Sequence, residues 1–207
     1  MALRSSRLIA HLILVAFMLH VCGCFVSRPT FGGQGVRPAS LTPEAWISLG
    51  APTEGHSLLA PLEGEWDVEV ATRGSPAAPV SKSPGRSRSF WILGGRFLQE
   101  EFTGGEGAEH YSGIGIMGYD NSSAQFSSLW IDSLTTAMAL SRGRYYLDTK
   151  RFELEGEVYD PLRGGLKRTR TTLEVKSKDR YLIKMFETLP NGREFPALEI
   201  SYRRTSP

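Results

Sequence analysis

The chain is poor in the side chains that covalent and metal chemistry most often use. Its 207 residues include only two cysteines and four histidines. Both cysteines (Cys22 and Cys24) and two of the histidines (His11 and His20) fall in the first 24 residues. If that stretch is a removable leader, what remains has no disulfide, no thiol nucleophile and no cysteine-ligated metal. His56 and His110 are then the only imidazoles, and there is no His-Glu-x-x-His, no paired cysteines and no nucleophile elbow. No metal and no cofactor is expected. Charge of one sign is also lacking. Without Arg4 and Arg7, the remaining 22 basic residues balance 22 acidic ones. Such a domain has no electrostatic footprint for nucleic acid.

The first residues read as an export signal. Arg4 and Arg7 form a basic start, and Leu8 to Val21 is almost wholly apolar. Val21-Cys22-Gly23-Cys24 is similar to a bacterial lipobox, with Gly before the cysteine that would be modified. That likeness implies Cys24 as a lipidated first residue and a membrane tether. The alternative is ordinary secretion with both cysteines discarded. The expected address is outside the cytoplasm, in the periplasm or cell envelope. Residues 25–55 are rich in Pro, Gly, Ser and Thr and read as a tether. Thr42-Pro43-Glu44 predicts a short helix inside it, with Trp46 and Ile47 docking on the domain. Residues 56–207 suit one domain.

From Leu62 onward the apolar pattern has period two. Trp66, Val68 and Val70 alternate with Asp67, Glu69 and Ala71. Further strands are predicted over 87–93, 96–103, 111–119, 125–132, 136–142, 152–158, 166–175, 181–188 and 195–203. Gly74 to Gly85 reads as a loose loop. No amphipathic segment is long enough for a crossover helix. About nine or ten antiparallel strands suit a closed barrel, which leaves no exposed edge. A short helix over Glu54–Leu62 is expected to plug one end. His56 on it reads as a capping residue.

Gly64-Glu65-Trp66 after a short helix resembles the opening of the calycin barrels, which include the lipocalins and fatty-acid-binding proteins. The resemblance implies that Trp66 closes the barrel floor against an arginine of the last strand, Arg203 or Arg204. Of these, Arg203 is the first choice. A wider set of stretches matches an uncharacterised bacterial family, domain of unknown function 1579. These are Leu62 to Trp66, Trp91 to Glu101, Gly115 to Asn121, Trp130-Ile131-Asp132, and Met185-Phe186-Glu187 with Leu189 to Phe195. From Leu58 to Arg204 the chain is identified as a member. Membership implies an all-β, calycin-like barrel and carries over no known activity.

Gly113-Ile114-Gly115-Ile116-Met117-Gly118 spells G-x-G-x-x-G. A strand end and turn follow it, not the helix that a dinucleotide site needs. The glycines are expected to leave room inside the barrel or to bend the strand. A tight turn at Gly94-Gly95 pairs Leu93 with Arg96, Ile92 with Phe97, Phe90 with Gln99, and Arg88 with Glu101. One face then carries Arg88, Phe90, Phe97, Gln99 and Glu101, and the other carries Ser89, Trp91, Leu98 and Glu100. Parity does not say which face lines the barrel, but one of Glu100 and Glu101 must point inward. Trp130 with Asp132, Arg168 with Arg170, and Met185 with Glu187 each share a face. Together with His110 and the first of the two hairpin faces, they are the candidate ligand-binding residues.

Three functions follow. The first is a secreted or lipid-anchored module holding a small, partly apolar molecule in the barrel. The second is a lyase, isomerase or hydratase using an enclosed carboxylate, with Glu101, Asp132, Glu187 and His110 as suspects. The third is an envelope scaffold with a filled barrel. The balance leans away from an enzyme. Oligomeric state is not legible.

Overall fold

Side chains of alternating polarity cannot bury their apolar half alone, so the ten strands close on one another. The computed structural model describes residues 42–105, 110–160, 164–189 and 191–205. The stretch read as a leader, with Cys24, and most of the stretch read as a tether lie outside them. The strands are β1 (Gly64–Thr72), β2 (Ser81–Ile92), β3 (Phe97–Gly104), β4 (Tyr111–Asp120) and β5 (Gln125–Asp132). They continue with β6 (Ala139–Tyr146), β7 (Arg151–Asp160), β8 (Gly165–Ser177), β9 (Arg180–Thr188) and β10 (Glu194–Arg204). Each pairs antiparallel with the next in sequence, and β10 returns to β1, giving a closed barrel.

Two strands differ from the sequence expectation. β2 starts at Ser81, so the end of the stretch read as a loose loop is strand. Ser81 to Gly85 pairs with Val68 to Thr72 and gains its order from that ladder, not from its own propensity. β6 runs to Tyr146, past the expected end at Arg142, because its partner Arg151–Glu157 extends that far.

The barrel has unlike ends. At one, the inward side chains Trp66, Phe126 and Phe152 are completely or almost completely buried; Phe126 and Phe152 cluster with Tyr119 and Tyr145, and Trp66 packs on Tyr181 and Tyr202. The predicted plug covers this end. It is split into α2 (Glu54–Ser57) and a 3-10 turn (Ala60–Leu62), because Pro61, inside the turn, has no N–H to give the Ser57 carbonyl. Leu59, Leu62 and His56 are buried beneath it. Before it, α1 (Pro43–Leu49) has Pro43 at its first position, and Thr42 Oγ1 accepts from the Ala45 amide. Ile47 is 73% exposed, so the docking expected of it does not occur. The Trp46 side chain lies outside what is described. Asn121 Nδ2 ties the entry to the turn after β4 by donating to the Leu49 and Ala51 carbonyls, at 2.7 and 2.9 Å.

His56 caps the plug, as its position predicts. Its Nδ1 accepts from the Thr53 amide at 3.0 Å, so that nitrogen carries no proton. Burial, then the nearby Arg96, lowers its pKa below 6.5. Its contribution to stability is therefore present above the unfolded value and lost as pH falls through the folded one. Between about pH 7.5 and about pH 5 the Tm of His56→Gln should fall less than that of the parent chain, measured by thermal melts.

Gly64 explains the Gly-x-Trp opening. Its φ is +127°, and a side chain there would meet Arg204 Nη1. Arg204, not the neighbouring Arg203, is the closing arginine. Its guanidinium carbon lies 4.1 Å from the Trp66 ring centre. It donates to the carbonyls of Glu63 (2.8 Å), Pro61 (3.2 Å) and Lys178 (3.1 Å). Arg203 points outward to Asp67 at 3.3 Å. The reason is register: Trp66 pairs with Arg204 across β1 and β10, and directly paired residues share a face.

Candidate functional site

The inward face follows from the Trp66 parity. Trp66 pairs with Ser87, Ser87 with Phe102, and Phe102 with Gly113. One step along the strands, Ser89 pairs with Glu100 and Glu100 with Gly115. The inward member of the carboxylate pair is thus Glu100. The hairpin register is as the Gly-Gly turn predicts, with Arg88 opposite Glu101 and Phe90 opposite Gln99. The ladder stops at Ile92 and Phe97, and the turn takes the four residues Leu93 to Arg96.

Glu100 is enclosed by the barrel wall, yet part of its surface stays accessible from the lumen. Ser87 Oγ donates to its Oε1 at 2.7 Å, and Tyr202 OH donates to the same oxygen at 3.0 Å. No protein group among the described residues bonds its second oxygen. Tyr202 stacks on Tyr181, with ring centres 4.0 Å apart. Burial raises the Glu100 pKa above 4.5, against the two hydrogen bonds that lower it. Burial, then the Glu100 charge, also raises both tyrosines well above 10.

Toward the other end lies a second polar group. Trp130 Nε1 donates to Tyr111 OH at 3.0 Å and to Asp132 Oδ2 at 3.2 Å. Asp132 Oδ1 accepts from the amides of Leu134 and Thr135. Burial and the Asp132 charge raise the Tyr111 pKa. The glycines of G-x-G-x-x-G make room, as expected for a strand. The Trp130 ring lies against Gly113, where a Cβ would overlap it, and 3.2 Å from a Cβ built on Gly115. Gly113→Val should displace the indole, shift its fluorescence, and cost about 1–3 kcal/mol in denaturant titration.

The candidates from sequence divide. Trp130, Asp132, Met185 and Glu187 line the inside, Glu187 at the rim, where Lys167 pairs with it at 2.7 Å. Arg88, Phe90, Phe97, Gln99 and Glu101 form the outer face of their hairpin and do not meet in the lumen. Arg168 and Arg170 are also outside. Arg168 is 90% exposed, while Arg170 stacks on Phe186 and bonds Glu194 at 2.7 Å. The reason is common to both groups: inward parity is set by the neighbouring strand, not by the strand itself. His110 is exposed on the chain entering β4. Sequence reasoning missed Ser87, Tyr111, Tyr181 and Tyr202 as a set around the carboxylates. No signal within these strands points to them, because carrying the Trp66 parity to Glu100 needs the β1–β2 register that only the structure supplies.

The family model for "Protein of unknown function (DUF1579)" matches residues 51–204. The chain belongs to this family. No curated protein matches. Among solved structures, the DUF1579 chain is similar to Rv2717c from M. tuberculosis, at 13% identity and a TM-score of 0.52. That match covers 75% of this chain and 100% of the other, and at this identity it shows the fold alone. A redesigned β-barrel, b11L5F_LGL, matches at 14% identity and a TM-score of 0.35, over 73% of this chain and 96% of that one. Among the described residues of this DUF1579 barrel, no group of three or more His, Cys, Asp or Glu is placed to hold a metal ion.

Proposed function

We propose that this protein is a binding module that holds a small, partly apolar molecule in the upper half of its barrel. One observation carries the reading. Glu100 lies on the inner wall, has one oxygen without a protein partner among the described residues, and stands among inward side chains that keep accessible surface. Inward residues of that region, among them Val70, Met117, Trp130, Ile183 and Ile200, are only partly buried, whereas Trp66 and Phe152 at the closed end are fully buried. Ten strands enclose a wider interior than eight, whose side chains can just fill it. The arrangement combines apolar walls with a few convergent polar groups, the usual make-up of a small-molecule site. It disfavours the filled scaffold.

The test is a native mass spectrum of the domain from Thr42, purified from cells without denaturation. An adduct that is released on unfolding is the expected result. A clean apo mass, with no loss of lumen accessibility on adding cell extract, overturns the reading. Glu101→Gln should leave any such adduct unchanged, because Glu101 is on the outer wall.

The raised pKa of Glu100 favours a second reading, an enzyme of the lyase, isomerase or hydratase type. A carboxyl group whose pKa is raised by burial is a candidate for general acid work. In that case Glu100, not Glu101, carries the proton, and Glu100→Gln abolishes turnover. Export through the leader and lipidation at Cys24 belong to the same proposal. Cys24→Ala should move the protein from the membrane fraction to the soluble one, and an unchanged distribution removes the anchor.

A further inference from the structure

The lumen has acids without cations to match them. Glu100 and Asp132 both point inward, and the ion pairs formed among the described residues include neither. The inward Lys167 is already paired with Glu187 at the rim. Asp132 is satisfied by protein donors, two backbone amides on one oxygen and the Trp130 indole on the other. Glu100 is not. Both its bonds go to Oε1, and they come from neutral hydroxyls.

Beside Glu100 is an aromatic surface. Glu100 pairs with Gly115, and Gly115 with Trp130. The indole lies back on Gly113 and Gly115, which have no side chains to hold it off the wall. The Trp130 side chain is only partly buried. Phe102 and Tyr111 stand next to it, their rings 5.6 Å apart. A carboxylate adjoining a partly accessible indole is a setting that attracts organic cations. It repels anions, and a neutral molecule gains only a hydrogen bond from it.

We propose that the group held at Glu100 is an ammonium, so that the lumen takes an organic amine with its charged head at the free carboxylate oxygen beside Trp130. The apolar body of the amine lies along Ile183, Ile200 and Val70. This rests on the reading of the barrel as a binding module and names the class of its ligand. The high pKa of Glu100 is consistent with it, because burial penalises a charge that nothing in the wall offsets, and a bound ammonium offsets it.

Three probes of one shape test the proposal: 3-phenylpropylamine, 3-phenylpropanol and 3-phenylpropionate. Each is titrated by calorimetry into the full chain as the cell processes it. The amine should bind at least about tenfold more tightly than the alcohol, and the carboxylate should not bind measurably. Glu100→Gln, checked for an intact fold by its melting curve, should lose at least about tenfold for the amine and little for the alcohol. Equal or tighter binding of the alcohol or the carboxylate overturns the amine assignment. So does an amine affinity untouched by Glu100→Gln. The native mass spectrum separates the two levels of failure. A non-amine adduct sinks the amine and keeps the binding module, whereas no adduct and no probe binding sinks both.

Discussion

Replacing Glu100 by glutamine should stabilise the protein at about pH 8 and leave its stability unchanged at about pH 4. The carboxyl is buried without a cation, so its folded pKa lies above the unfolded value of 4.5. The folded state then binds more protons than the unfolded state over the interval between the two. Stability is fully present below the unfolded pKa and falls as pH rises through the folded one. Glutamine keeps the shape and can still accept from Ser87 and Tyr202, but it has no charge to desolvate. In melts across pH, the Tm difference between Glu100→Gln and the parent should grow from near zero to a positive plateau. Each kcal/mol recovered appears as about 2–4 °C in a chain of this size. A variant less stable than the parent at alkaline pH would show that the charge is offset inside the wall, and would remove the basis of the proposed site.

Trp66→Ala should be among the most damaging single substitutions in the barrel, at about 3–5 kcal/mol. The indole is completely buried, donates to the Leu62 carbonyl at 3.0 Å, and makes edge contacts with Tyr181 and Tyr202. It also supports Arg204, which fastens the last strand to the plug through the Pro61 and Glu63 carbonyls and to the β8–β9 turn through that of Lys178. Arg203→Ala provides the contrast. That side chain is 69% exposed and has an ion pair with Asp67, so the cost should stay within about 1 kcal/mol. Denaturant titration of Arg203→Ala beside Arg204→Ala separates the two arginines, and the larger loss is expected for Arg204→Ala. Equal effects would overturn the assignment of Arg204 as the closing residue.

Much of the architecture could be read from local pattern. The period-two runs, the Gly-Gly turn and the short plugging segment each follow from the conformational limits of a few neighbouring residues, whereas the split of that segment into two pieces was not anticipated. The hairpin register at Arg88 and Glu101 is an example, since the turn at Gly94-Gly95 sets it without reference to the rest of the barrel. Ser81 to Gly85 shows the limit. Its composition suits a loop, and only pairing with β1 makes it a strand.

The site was legible to the same depth. The sequence narrowed the inward carboxylate to Glu100 or Glu101, because adjacent residues in a strand face opposite sides. It also placed Trp130 with Asp132 and Met185 with Glu187 on shared faces. By itself it determined a closed antiparallel barrel, a plugged end and a short inventory of reactive groups. Only the tertiary structure decided which side of each strand is inside. That choice depends on the register between strands distant in sequence: Trp66 against Arg204 and Ser87, and Glu100 against Ser89 and Gly115. A shift of one residue in any of those ladders would turn every side chain of the strand to the opposite face, and nothing local to the strand reports it.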